Sequence, residues 1–272
     1  MRVDAGLKGD VSAGRIILTT REHEQYLQDG YFVRKAAFDL DELAALGEAV
    51  EAAAARAVER SASGKAYYLD GKRFVDAGHM TVQFEPPPAE TAIRVIEPVC
   101  DLHPALETLL DDPRLAEPMR GLLGCERIAM WTNKLNLKRP GVGSGFGWHQ
   151  DSPYWIHDCK HVDQLPNVML VLDDADSDNG CFRVIRGSHR QGCLPGTADG
   201  SQLGGFYTDP STFDRAGEVA LEVPAGSLVF FHPHIVHGSL PNHSERPRRA
   251  LVLTYQPADQ PSLKARAIRN IR

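Results

Sequence analysis

No stretch of the 272-residue chain approaches the roughly 20 consecutive apolar residues that a membrane-spanning helix needs. The first residues, Met1–Asp10, also lack the apolar run of a signal peptide. An excess of basic charge is missing too: 30 Lys and Arg face 36 Asp and Glu, for a formal net charge of −6. A sequence-independent nucleic-acid binder needs a basic face to displace counterions, so no nucleic-acid partner is expected, and no membrane partner either. The five cysteines, at positions 100, 125, 159, 181 and 193, contain no Cys-x-x-Cys. This odd, scattered set fits reduced thiols in a cytoplasmic protein and offers no catalytic thiol paired with an assigned histidine. Repeats and low-complexity linkers are lacking as well. One domain over 1–272 is therefore expected, with 1–17 as a flexible lead-in.

What is present fits a folded protein: 42% of the residues are hydrophobic, enough for a sizeable core. Thr19 with Glu22 has the spacing of a capping box, and a short helix is expected from there to Gly30. Tyr31–Val33 reads as a strand. Asp39 reads as the N-cap of a longer helix to about Arg60, with Leu40, Leu43, Leu46 and Val50 on its buried face. Strand-like pieces follow at 66–69 and 80–84, closed by Pro86–Pro88. Two short helices are expected around 102–110 and 113–123, the second closed by Gly124. From 127 the texture changes to strand-like runs at 127–138, 167–172, 181–185, 218–223, 227–232 and 249–256. That pattern predicts an all-β barrel or sandwich with its core mostly over 127–257 and the helices packed outside. Asn179-Gly180 reads as a hairpin turn requiring positive φ.

The chemistry concentrates in two segments. In Phe146-Gly-Trp-His149-Gln-Asp151, strand alternation puts His149 and Asp151 on one face. One imidazole and one carboxylate are two thirds of the 2-His-1-carboxylate set that holds Fe(II) with open positions. The third histidine must come from elsewhere, and His232, His234 and His237 compete for the place. His237 precedes Gly238, which lets backbone approach closely. Arg248 lies 11 positions beyond His237 and leads an apolar strand; from there it could fork onto a carboxylate.

Taken together, these segments resemble the phytanoyl-CoA dioxygenase family of Fe(II)/2-oxoglutarate oxygenases. The resemblance spans about 20–257. It is carried by Trp148–Trp155, by Leu172–His189, and by His237-Gly-Ser239 with Asn242, Ser244 and Arg248. It implies a double-stranded β-helix, a jelly-roll or cupin-like fold that is mainly β with flanking helices. It also implies metal ligation by His149, Asp151 and His237, and an oxoglutarate clamp at Arg248 with Ser239 nearby. Lys134 and Met169 would line the oxoglutarate pocket. With Fe(II), O2 and 2-oxoglutarate, the implied reaction hydroxylates an unactivated C–H of a small or medium molecule and releases succinate and CO2. Related halogenases have Ala or Gly where this chain keeps Asp151. On the substrate side, Tyr154, Trp155 and Gln83 are expected near the reacting carbon, although Trp155 could instead pack in the core.

Rival readings use the same residues. Asp174-x-Asp176-x-Asp178-Asn-Gly180 looks like a calcium loop, but its glycine falls one place late and Ile185 stands where a glutamate is needed. His157 and His161 read as solvated. The alternative function is a metal-binding jelly roll that hydrolyses, isomerises or does not catalyse. A zinc hydrolase would have no use for Arg248.

Overall fold

The computed structural model describes residues 16–272. Most of the expected lead-in, 1–15, lies outside them. In chain order the elements are α1 (Thr20–Asp29), β1 (Tyr31–Arg34), α2 (Leu40–Ser61), β2 (Lys65–Leu69), β3 (Lys72–Ala77), β4 (Met80–Phe84), β5 (Ile93–Glu97), α3 (Pro104–Leu109) and α4 (Pro113–Leu123). Then come β6 (Ile128–Lys138), β7 (Phe146–His149), β8 (Asn167–Val171), β9 (Phe182–Ile185), β10 (Glu218–Leu221), β11 (Leu228–Phe231), β12 (His237–Ser239), β13 (Arg248–Pro257) and β14 (Arg269–Asn270).

Helix ends follow from local chemistry. Thr19 and Glu22 close a reciprocal capping box on α1, and Asp39 and Glu42 do the same for α2. The buried stripe of α2 runs through Leu43, Leu46, Val50, Ala53 and Ala57. Leu40, expected on this stripe, is 80% exposed. It occupies the first helical position, and the packed surface begins one turn later.

One large antiparallel sheet has the order β1-β11-β8-β13-β6-β5-β4-β3-β2, with β14 added to β6; a small sheet has the order β10-β9-β12-β7. The two face each other as a jelly roll. Alternation along β13 shows the division: Leu251 and Leu253 join the outer apolar layer with α2, α3 and α4, whereas Ala250 and Val252 join the layer between the sheets. Arg248, in phase with Ala250 and Val252, shares the inner side with them. Across the ladder, Arg248 pairs with Lys138 and Val252 with Lys134.

Two expectations change. The large sheet recruits β1 to β5 from the first half, so the β core reaches well beyond 127–257. Charged residues such as Arg73, Asp76, Arg94 and Glu97 interrupt the apolar pattern of β3 and β5 and hid them. Gly180 does have positive φ, +78°, and Asn179 Nδ2 donates to Asp174 O at 2.6 Å. The strands on either side, β8 and β9, belong to different sheets, so the turn carries the chain between sheets and is not a hairpin.

Candidate metal centre and its cavity

β7 and β12 are antiparallel neighbours in which His149 pairs directly with His237. Gly238 permits this approach: a Cβ there would stand 2.8 Å from Phe146 O. His149, Asp151 and His237 each offer a ligand atom, and these atoms all lie within 4.8 Å of one another. His149 Nδ1 is 2.7 Å from Gly147 O, and His237 Nδ1 is 2.9 Å from Ile235 O. A carbonyl only accepts, so each Nδ1 carries the proton and each Nε2 keeps its lone pair for a metal. Burial, and for His149 also the facing His237, favours the neutral imidazoles; the His149 pKa is pushed down to about 3.

Asp151 follows β7 and is anchored by its N–H, which donates to Pro233 O at 3.1 Å. Burial alone would raise its pKa, but Lys134 and the two imidazoles hold it below the usual carboxylate value. Lys134 Nζ lies 3.2 Å from Asp151 Oδ1. Asn167 Nδ2 donates to Oδ2 at 3.1 Å, and Asn167 Oδ1 accepts from Thr254 Oγ1 at 2.5 Å. Both carboxylate oxygens are therefore oriented by partners from β6 and β8. Two neutral imidazoles and an ionised carboxylate are a donor set that suits Fe(II).

The competing histidines are engaged elsewhere. His234 Nε2 is 2.5 Å from Asp163 Oδ1, and His232 packs against the rings of Tyr26 and His189. His157 is exposed as expected. His161 departs from the solvated reading: its Nε2 is 3.0 Å from Gln256 Oε1, and its ring meets Trp131 edge-on.

One cavity between the sheets is lined by His149, Asp151 and His237 and also by Arg248, Ser239, Lys134, Met169, Gln83, Tyr154 and Trp155. Arg248 is only 3% exposed, yet among the described residues no hydrogen-bond acceptor or ion-pair partner meets its guanidinium. A buried cation without a partner is costly, so a complementary anion belongs there. Burial, then Arg248 and Arg94, push the pKa of Lys138, its cross-strand neighbour, down to about 6. Trp155 has two roles. It borders the cavity and also packs in a small core of Trp131, Leu165 and Leu263. Tyr154 stacks on Phe206 with centroids 4.5 Å apart and meets His149 edge-on at 6.3 Å.

Several residues of the site escaped the sequence reading: Asn167, Arg94 and Tyr207. An asparagine opening the apolar run Asn167–Leu172 was a faint signal. The others come from segments with no motif.

The family model described as phytanoyl-CoA dioxygenase matches residues 26–250. L-proline trans-4-hydroxylase of Streptomyces griseoviridis is 30% identical over 184 residues, covering 61% of this chain and 68% of that protein. A probable alpha-ketoglutarate-dependent hypophosphite dioxygenase of Stutzerimonas stutzeri is 28% identical over 247 residues, covering 88% and 78%. Among solved structures, EctD from S. alaskensis with 2-oxoglutarate and 5-hydroxyectoine is similar with a TM-score of 0.67 and 25% identity, covering 96% of this chain and 83% of that one.

Proposed function

The chain belongs to the phytanoyl-CoA dioxygenase family, and from that premise we propose that it is an Fe(II)- and 2-oxoglutarate-dependent dioxygenase held by the cavity just described. His149, Asp151 and His237 hold the iron, and Arg248, with Ser239 beside it, takes the far carboxylate of 2-oxoglutarate. Iron with oxoglutarate and O2 supplies the oxidising power to hydroxylate an unactivated C–H, with release of succinate and CO2. The protein's own residues bind, orient and exclude water. Asn167, Thr254 and Lys134 fix the carboxylate of Asp151. Met169, Phe231 and Val252 give the cavity an apolar lining that excludes water. Gln83, Tyr154 and Trp155 wall the side toward a small or medium organic substrate. The relatives' names mention proline and hypophosphite, so the substrate is not inherited with the fold.

The observation that carries this reading is the convergence of two bare imidazole nitrogens and an ionised carboxylate beside a buried arginine with no partner. The same reading takes the chain as one oxygenase domain. It also places it in the cytoplasm, consistent with its unbridged cysteines, and no helix among the described residues is long and apolar enough to cross a membrane. The test is oxoglutarate turnover. Succinate should form only with added Fe(II) and O2, and His237→Ala should abolish it. Turnover by a hydrolytic assay with zinc, and none with iron, would overturn the reading.

A further inference from the structure

The cavity holds two buried arginines, and the function proposed above uses only one. The other is Arg94, in β5, beside the irregular pairing at Gln83/Phe84. It is 3% exposed, and its Cζ sits 3.9 Å from the centroid of the Phe146 ring. Nη2 donates to Gly145 O at 2.6 Å, while Nε is buried with no acceptor. Among the described residues no carboxylate forms an ion pair with it. Glu85, the acid that acts on it most, is engaged by Ser144, whose N–H and hydroxyl donate to it at 3.1 and 2.5 Å. The other cation of the cavity, Lys134, is matched by Asp151 and Glu97. Among the described residues the Arg94 guanidinium thus meets one backbone carbonyl and no side-chain acceptor, and burying its other donors without an acceptor is costly.

Arg94 comes from β5 and Arg248 from β13, on opposite sides of β6 in the large sheet. Arg94 lines the cavity together with Tyr154 and Tyr207. Tyr154 meets His149 edge-on, and Tyr207 accepts a hydrogen bond from Lys72 at 2.8 Å. Arg94 therefore faces the wall on which the reacting molecule would rest.

We infer that Arg94 is a substrate-binding residue that takes an oxyanionic group, carboxylate or phosphonate, of the molecule to be hydroxylated. The substrate class is then a small organic anion, held between Arg94 and the Tyr154–Tyr207 wall. A guanidinium braced on an aromatic ring and a backbone carbonyl is oriented in advance, and its remaining N–H donors suit an oxyanion better than a point charge would. The inference rests on the oxygenase reading, with oxoglutarate already on Arg248.

The test uses the Fe(II) protein under argon with saturating oxoglutarate, so that Arg248 is occupied. Calorimetric titration compares matched probes: benzoate with benzamide, L-proline with L-prolinamide, and methylphosphonate with its dimethyl ester. At least one oxyanion-bearing probe should bind about tenfold or more tightly than its partner without the oxyanion. The carboxylate and phosphonate arms identify which oxyanion fits. Arg94→Gln should erase that preference, with oxoglutarate binding changed by less than about threefold, and Arg94→Lys should restore part of it. Retained oxoglutarate binding also shows that the variants fold. The inference is overturned if no pair favours the anion, or if Arg94→Gln keeps the preference. It is equally overturned if Arg94→Gln weakens oxoglutarate as Arg248→Gln does, which would put both arginines on the co-substrate. Failure of the wild-type protein to bind oxoglutarate at all would instead overturn the oxygenase reading, and this inference with it.

Discussion

His149 and His237 are direct cross-strand partners with ring centroids 4.1 Å apart, and each ties its Nδ1 to the carbonyl two residues before it in its own chain segment. The same local device therefore acts on both strands and leaves two Nε2 atoms converging beside Asp151. His237→Ala or Asp151→Ala should lose stoichiometric Fe(II) binding, measured by dialysis and metal analysis. His234→Ala should keep it, because that imidazole is committed to Asp163. Loss of iron in His234→Ala with retention in His237→Ala would move the distal ligand.

Asn167 touches Asp151 and is not among the residues lining the cavity. Asn167→Ala removes the donor to Oδ2 and leaves Thr254 without its acceptor. Iron affinity should fall about tenfold to a hundredfold, the range found for partners of metal ligands. Competition with a coloured chelator measures it, and an unchanged affinity would show that Lys134 alone suffices to hold the carboxylate.

Arg248 has no partner to release among the described residues, so its substitution reports directly on the bound co-substrate. Arg248→Lys should raise the oxoglutarate KM about tenfold or more despite the conserved charge, because an ammonium cannot form the two-point fork. A KM that stays put in Arg248→Gln would transfer the clamp to another cation.

Lys138 makes stability depend on pH. Its folded pKa is near 6, against about 10.4 for a free lysine. Between those values the unfolded chain holds a proton that the folded chain lacks, so stability rises with pH by about 1.4 kcal/mol per unit. Below about pH 6 both forms are charged and the full burial penalty remains. Lys138→Met removes this dependence. Urea unfolding of the two proteins between pH 6.5 and 9 should show the wild type gaining on the variant as pH rises; parallel curves would contradict it.

Trp155 packs edge-to-face on Trp131 with centroids 6.3 Å apart. Trp155→Ala should cost about 3–5 kcal/mol of stability through the cavity it leaves, and Trp155→Phe much less. A variant Trp155→Ala of near-normal stability would assign the ring mainly to the substrate.

The parts of this architecture that were legible in the sequence are those set by local spacing. Thr19 with Glu22 and Asp39 with Glu42 announce helix starts because the capping bonds span three residues. His149-x-Asp151 announces a shared face because strands alternate. Gly238 marks a close approach because only a missing Cβ allows one. The rest depends on contacts between distant segments. Asn167 meets Asp151 across 16 residues and the gap between the sheets. Arg94 lies in a segment with no strand signal, and only the place of β5 in the large sheet brings it to the cavity. The turn at Gly180 shows the same limit: its φ follows from Asn-Gly, but which sheet each flanking strand joins depends on β12, β11 and β13.

The central claim is that one Fe(II) and one oxoglutarate meet in this cavity on His149, Asp151, His237 and Arg248. The most direct measurement is an anaerobic spectroscopic titration of the metal-free protein with Fe(II) and 2-oxoglutarate. A visible charge-transfer absorption should grow in and saturate at one iron and one oxoglutarate per chain. It should vanish in Asp151→Ala and need much higher oxoglutarate in Arg248→Gln. No such band in the wild-type protein at saturating iron and oxoglutarate, or a band unchanged in both variants, would contradict the account.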